Sequence, residues 1–440
     1  MNAHHNHQDQ PFEPHESSFD VIIIGGGIAG SSFAITISQL LSSSGSTTTF
    51  RKILIIEEKP KNLGTFKVGE SLPGEAKPVL RSLGVLKTVD NDTIQEKHLF
   101  CYGNKSVWGS TNINGTDSIF NPYGNGFHLD RLLFEETLLK TTELQYGQIV
   151  KVIRGFGVTG LCFDFKDDCA ENTKCWKITI SKCSSLNDDS AREMPKKIYG
   201  KILVDASGRR CCIRKCMPSL KRHSFDKLLA FACLFESAYH NGLKDNDHHT
   251  LVESCCYGWF QTSRLPNNQR VIIFFTDDDL VKRLPRRIRA VDEFLDFLRE
   301  NTLNIDKILK EFDYMPVGNR IMCTAANSEV LSEFASIENH WIAVGDSAIS
   351  FDPLSSQGIL TTLYNSKLGA EAIFFQFLYN RSPKESSNNN ENTNGNIQPF
   401  DIYKHQLTQV LTKYQKEKNY FYVKEQRWVK EVFWKRRHSE

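Results

Sequence analysis

No stretch of about 18 or more consecutive apolar residues occurs in this chain, so no transmembrane helix is expected. An excess of either charge is missing too: 54 Lys and Arg stand against 52 Asp and Glu, a formal net charge of +2. That leaves no global field to draw the chain to nucleic acid or an acidic membrane surface. The 12 cysteines form no repeated framework. No CxxC…CxxC pairing is present, which argues against structural zinc, and the adjacent Cys211–Cys212 and Cys255–Cys256 are strained against bonding each other. The N-terminal stretch carries His4, His5, His7 and His15 but no apolar core. It reads as a disordered leader over 1–18, not as a secretory signal. Reduced thiols in a cytoplasmic protein are the expectation.

What is present is the composition of an ordinary globular protein, 40% apolar and 24% charged over 440 residues, long enough for two intimately joined domains. FDVIII (19–24) is a short β-branched run of the kind buried on both faces of a parallel sheet. A Gly-rich turn and a helical pattern, SSFAITISQLL, follow, and then a second buried run, ILIIEE (53–58). Strand, turn, helix and strand make one βαβ unit of a doubly wound sheet. The polar linker between helix and second strand reads as a surface insertion. LLAFACLFE (228–236) and VIIFFT (271–276) suggest a second, mostly antiparallel sheet. WIAV (341–344) is another buried strand, and 357–379 reads as a long amphipathic helix.

The expected fold class is therefore α/β, a doubly wound Rossmann-like domain with an interleaved antiparallel substrate domain and C-terminal helices. The expected dinucleotide domain is discontinuous, comprising 19–95, 125–160, 200–225 and 320–380. The substrate domain takes 96–124, 161–199 (with SLNDDSAREMPKK as a hairpin loop) and 226–319. An Asn-rich flexible loop at 381–400 and a helical segment at 401–440 complete the chain.

Gly25, Gly27 and Gly30 form G-x-G-x-x-G. The first glycine permits a tight turn, the second lets a diphosphate approach the backbone, and the third lets helix and strand pack closely. The helix start, including Ala29, then offers free N–H groups and a partial positive charge to phosphates. A carboxylate at the end of the second strand is expected on the ribose hydroxyls, either Glu57 or Glu58. Two later segments add to this turn. Asp205-Ala-Ser-Gly208-Arg209 follows a buried run. Gly345-Asp346 ends the strand at 341–344, where a carboxylate can hydrogen-bond a polyol chain. Asp352-Pro353 then turns through Ser355, Ser356 and Gln357 into a helix opening with Gly358 and Ile359, a second helix N-terminus with small residues.

Together the three segments resemble the FAD-dependent monooxygenases of the hydroxybenzoate-hydroxylase-type fold. In that family they bind the ADP part, the diphosphate region and the ribityl–isoalloxazine part of FAD. GESLP (69–73), CYGNKSVWGS (101–110), NPYGNGFHLDRLLFE (121–135), TLVESCCYGWFQTSRLP (250–266) and DPLSSQGI (352–359) look more narrowly like the tryptophan-halogenase-like branch. That branch includes true halogenases and the flavoproteins that mature quinone cofactors in lysine- and glycine-oxidase-type enzymes. The resemblance spans 19–436. It implies FAD contacts at Gly25, Gly27, Ala29, Gly30, Glu57, Glu58, Arg131, Asp205, Gly208, Gly345, Asp346, Pro353, Ser356, Gln357, Gly358 and Ile359. The alternative for Arg131 is a salt bridge with Asp130 or Glu135.

Departures from the halogenase pattern decide the expected chemistry. The W-x-W-x-I-P segment has only Trp259 as counterpart, Ser355 stands where halogenases carry Glu, and the halogenase Lys has only Lys105 in roughly the right region. Oxygen insertion into an electron-rich aromatic ring through a flavin C4a-hydroperoxide is therefore expected, on a small molecule or on a tryptophan of a partner protein. Halogenation of a small aromatic is one alternative. A flavin-binding maturation factor for a quinone-cofactor enzyme, docking through its C-terminal helices, is the other. Lys105, His128 and Glu70 are the candidate catalytic residues; His128 also reads as structural and Glu70 as a helix cap. Trp108, Phe127 and Trp259 are the candidate substrate pocket, or else core. No second G-x-G-x-x-G appears, so electrons come from transient NAD(P)H docking over the DASGR region or from a separate flavin reductase. No metal, nucleic acid or membrane partner is expected.

Overall fold

The computed structural model describes residues 18–44, 52–60, 66–164, 174–183, 194–238, 242–379 and 398–439. The expectations for the leader, the linker after the first helix, the hairpin at 185–193 and most of the Asn-rich loop lie outside the described residues.

Two eight-stranded sheets face each other. The first is built on Ser18–Ile24. This strand pairs in parallel with Ile53–Glu57 on one side and Lys196–Asp205 on the other, with Ile22 opposite Leu54 and Leu203. Val150–Arg154 and Trp341–Ala343 extend the parallel ladder at its two ends. Phe19 to Ile24 are all buried, as a strand covered on both faces requires. The helix Ile28–Ser43 covers one face and packs on the helix Gly358–Ile373. The latter runs on into one π-helical turn at Phe374–Tyr379.

One assignment is corrected by the topology. Cys175–Lys182 pairs antiparallel with Lys196–Asp205, and Phe156–Asp164 pairs antiparallel with Cys175–Lys182, so 161–164 and 175–182 belong to the first sheet, not to the substrate sheet. Trp176, Ile178 and Ile180 alternate with half-buried residues, a pattern that fits an antiparallel strand of either sheet equally.

The second sheet runs Tyr314–Pro316, Leu228–Ser237, Gln269–Asp277, Gly258–Arg264, His249–Cys255, Gly103–Val107 and Asn114–Asp117. Met322–Ala325 also pairs with Leu228–Ser237, so this stretch leaves the dinucleotide domain to which the sequence reading gave it. Alternation sorts the two faces. Phe231, Phe260 and Phe274 pack on the helices Val291–Asn301 and Asn304–Glu311. Ala230, Trp259, Ile273 and Phe275 face the other way, toward the first sheet. The C-terminal helices Pro399–Lys424 and Val432–His438 close that side. Their Tyr403, Tyr414, Tyr422, Phe433 and Trp434 are buried, each side chain contributing about 2 kcal/mol of apolar burial. These five side chains close the fold, while Tyr420 and Phe421 of the helix Pro399–Lys424 are exposed. Among the described residues, no helix is long and apolar enough to cross a membrane.

Candidate functional site

The space between the sheets is a cleft of about 980 Å³. Its first wall begins where Ser18–Ile24 ends. Gly25 has φ +104°, and a Cβ there would lie 2.5 Å from the Ala206 carbonyl oxygen; at Gly30 it would lie 1.9 Å from the Gly25 oxygen. At Gly27 it would meet nothing within 4 Å, because that position faces the cleft. No side chain caps the helix starting at Ile28, so its first N–H groups and dipole are directed at whatever fills this end. Glu57 stands beside the turn. Its Oε2 accepts from the Gly26 N–H at 2.6 Å and its Oε1 from the Lys59 N–H. Glu58 pairs with Arg210.

Asp205 is fully buried and shapes the next turn from behind, accepting from the N–H groups of Ser207 and Ile213 and from the Ser207 hydroxyl. It positions Gly208 (φ +66°), whose missing Cβ again has nothing within 4 Å. Arg131 opens the helix Arg131–Tyr146 under the N-cap Asp130. It donates to the Gly69 oxygen and pairs with Glu135, while its buried Nε has no partner in the protein. Lys67 joins the same carboxylate, and burial lowers its pKa.

The third segment closes the far end. Gly345 (φ +64°) brings its turn so close to Ala29 that a Cβ would lie 2.8 Å from that methyl group. Asp346 lines the cleft, 3.7 Å from the Arg209 guanidinium. Asp352 caps the next turn through the Leu354 N–H, and Ser356 takes a left-handed φ of +49°. Two C-terminal tyrosines fix Asp352. Its Oδ2 accepts from the Tyr422 hydroxyl at 2.7 Å, and its N–H donates to the Tyr414 oxygen at 2.8 Å. Burial, reinforced by nearby Asp226, raises the Asp352 pKa to about 6.

Of the predicted cofactor contacts, Gly25, Gly27, Ala29, Glu57, Glu58, Arg131, Gly208, Asp346, Pro353, Ser356, Gly358 and Ile359 line this one cleft. Gly30, Asp205 and Gly345 stand behind it as packing and turn residues, and Gln357 precedes the helix at Gly358 without capping it by its side chain. The predicted substrate pocket is corrected. Trp259 stacks on Phe275 and donates to Tyr422, Trp108 donates to the Phe421 oxygen, and Phe127 is fully buried, stacked on Phe100. All three are core. The apolar wall facing the cleft is instead Phe66, Val68, Ala230, Ile273, Phe275 and Met322, with Gln261 among them. Sequence reasoning missed these because alternation tells which residues share a face, not which face meets the cleft.

The catalytic candidates also separate. Lys105 pairs with Asp247 at 2.7 Å, outside the cleft. His128 is fully buried against Thr250, and burial lowers its pKa to about 4, so it is a neutral structural group at neutral pH. The Glu70 carboxyl is buried and accepts from Gln261 at 3.2 Å instead of capping a helix.

No protein-family profile matches the sequence. A putative FAD-dependent oxidoreductase, LodB, of Marinomonas mediterranea is 24% identical over 96% of this chain and 97% of its own length. This chain is a homologue of FAD-dependent oxidoreductases. A tryptophan 2-halogenase of Chondromyces crocatus is 25% identical over 81% of this chain and 61% of its own length. The homologues and structural neighbours are thus FAD-dependent oxidoreductases and halogenase-like flavoproteins. The fold is shared with the myxobacterial chondrochloren halogenase CndH (19% identity, TM-score 0.72, covering 96% of this chain and 86% of that one). It is also shared with the peptidyl tryptophan dihydroxylase QhpG, essential for tryptophylquinone cofactor biogenesis (17%, 0.64, 96% and 78%). The cleft fits the cofactor of these relatives. Gly27, Gly208 and Gly358 leave backbone open where a diphosphate and a planar ring need close approach, and the unpaired Arg131 Nε awaits an acceptor.

Proposed function

We propose that this chain is an FAD-dependent monooxygenase that inserts oxygen into an electron-rich aromatic ring, with the tryptophan side chain of a partner protein as one such substrate. Glu57 would hold the adenosine ribose, and the Gly25–Gly27 turn with Arg131 the diphosphate. Asp346 would hold the ribityl chain, and the Asp352–Ile359 segment the flavin ring. Bound FAD, once reduced, supplies activated oxygen. The protein's part would be to hold the ring with the Pro353–Gly358 turn and to keep water away with Phe66, Val68, Ile273 and Phe275.

The observation that carries oxygen insertion over halogenation is the position of Lys105. Its ammonium is committed to Asp247 outside the cleft, and Ser355 occupies the place of the halogenase Glu. The dihydroxylase QhpG, which shares the fold, supports the same reading. The test is to reduce FAD-loaded protein anaerobically and mix it with aerated buffer containing bromide and a phenolic trap for hypobromous acid. The expected result is reoxidation at a rate independent of bromide with no brominated trap. Bromide-dependent bromination of the trap contradicts the proposal. NADH or NADPH consumption without an added reductase separates the two sources of electrons.

A further inference from the structure

We infer that Gln261 is the substrate-recognition residue of this cleft and that it selects aromatic rings carrying an N–H or O–H donor. The inference rests on the proposed function and names the substrate class of that same site. Gln261 sits on the strand Gly258–Arg264, opposite Ile273 in the register, on the face of the second sheet that meets the cleft. It is 7% exposed. Its Nε2 donates to Glu70 Oε1 at 3.2 Å. A carboxylate oxygen only accepts, so the amide is held with its NH₂ toward Glu70 and its carbonyl oxygen turned away.

Among the described residues no hydrogen bond reaches that oxygen, and it is open to the cleft instead of sealed in the core. Ile273 stands opposite Gln261 in the register, and Ala230 and Phe275 share its face of the sheet; none of the three carries a side-chain donor. Glu70 cannot swing aside to free the amide. It is 1% exposed, its own carbonyl oxygen accepts from the Leu129 N–H at 2.8 Å, and its Oε2 is buried without a partner. An acceptor on an apolar cleft wall favours a ligand that brings a donor, because a ligand without one displaces water from it and leaves it unpaired. Gln261 comes from the second sheet, whereas the glycine turns come from the first. The group it meets would therefore belong to a substrate and not to the part of the cofactor held at the glycine turns. An indole N–H or a phenol O–H matches; an N-alkylated or ether analogue of the same shape does not.

The test uses full-length, FAD-loaded protein with 3-methylindole and 1,3-dimethylindole, their binding read from the flavin difference spectrum. Wild type is expected to bind 3-methylindole at least roughly tenfold more tightly than its N-methyl counterpart. In Gln261→Met, the affinities should converge to within about twofold, with FAD affinity unchanged. Glu70→Gln, whose amide can donate as well as accept, should lose part of the preference and so provides a second variant. Equal affinities in wild type, no binding of 3-methylindole to the FAD-loaded protein, or a preference that survives in Gln261→Met overturns the inference. Failure of wild type to bind FAD overturns the functional reading itself, and is measured first.

Discussion

Two glycines of one turn should fail in opposite ways when changed to alanine. At Gly30 the new Cβ would lie 1.9 Å from the Gly25 oxygen, where ordinary contact begins at 3.4 Å. The shortfall of about 1.5 Å falls on backbone on both sides, so the helix Ile28–Ser43 must lift off the strand Ser18–Ile24. Such overpacking costs about 3 kcal/mol or more, a large share of an ordinary domain's 5–15 kcal/mol. At Gly27 the Cβ meets nothing within 4 Å, and the backbone (φ −69°, ψ −164°) suits an L-residue. Gly27→Ala should therefore fold with stability within about 0.5 kcal/mol of wild type, or slightly above it. The methyl group instead enters the space a diphosphate needs, and FAD affinity should fall at least tenfold, about 1.4 kcal/mol. Urea unfolding and calorimetric FAD titration of both variants separate the effects. Gly27→Ala with wild-type FAD affinity would refute the reasoning, because Gly27 would then not face the ligand.

Three further outcomes are expected. His128 has a folded pKa lowered to about 4 by burial, so the unfolded chain binds more protons between about pH 6.5 and 4, and stability is lost as pH falls through that window, by up to ~3 kcal/mol. Asp352, raised to about 6, acts oppositely, gaining stability as pH falls toward 4. His128→Gln should therefore remove an acid-labile contribution and leave the Asp352 trend exposed in urea unfolding at pH 4.5–7; an unchanged pH profile would contradict this. Tyr422→Phe removes a donor from the buried Asp352 and should cost roughly 1–3 kcal/mol while weakening FAD binding, checked by thermal unfolding with and without FAD. Lys105→Ala, altering a half-exposed ion pair outside the cleft, should change stability by about 1 kcal/mol or less and leave turnover intact; a large loss of turnover would restore the halogenase reading.

The dinucleotide half of the site was legible because its physics is local. A β-branched run, three glycines at fixed spacing and an acid ending the next strand each impose a conformation on neighbouring residues, and Gly25, Gly30 and Glu57 stand where that logic puts them. Residues acting across long separations were not legible. Tyr422 reaches Asp352 over 70 residues, and Gln261 reaches Glu70 over 191; no periodicity marks such pairs. Trp108, Phe127 and Trp259 show the complementary failure. Aromatic character is shared by core and pocket, and only the docking of the C-terminal helices, which brings Tyr422 and Trp434 onto Trp108 and Trp259, makes the two tryptophans core. Arg131 makes the expected ion pair with Glu135, lines the cleft, and keeps a buried Nε without a partner among the described residues.

The central claim is tested most directly by the isotope in the product. FAD-loaded protein is reduced anaerobically and exposed to ¹⁸O₂ with 3-methylindole in bromide-containing buffer, and the products are read by mass spectrometry. The account predicts an indole product carrying ¹⁸O and no bromine. A brominated indole, or a product whose oxygen comes from water, would contradict it.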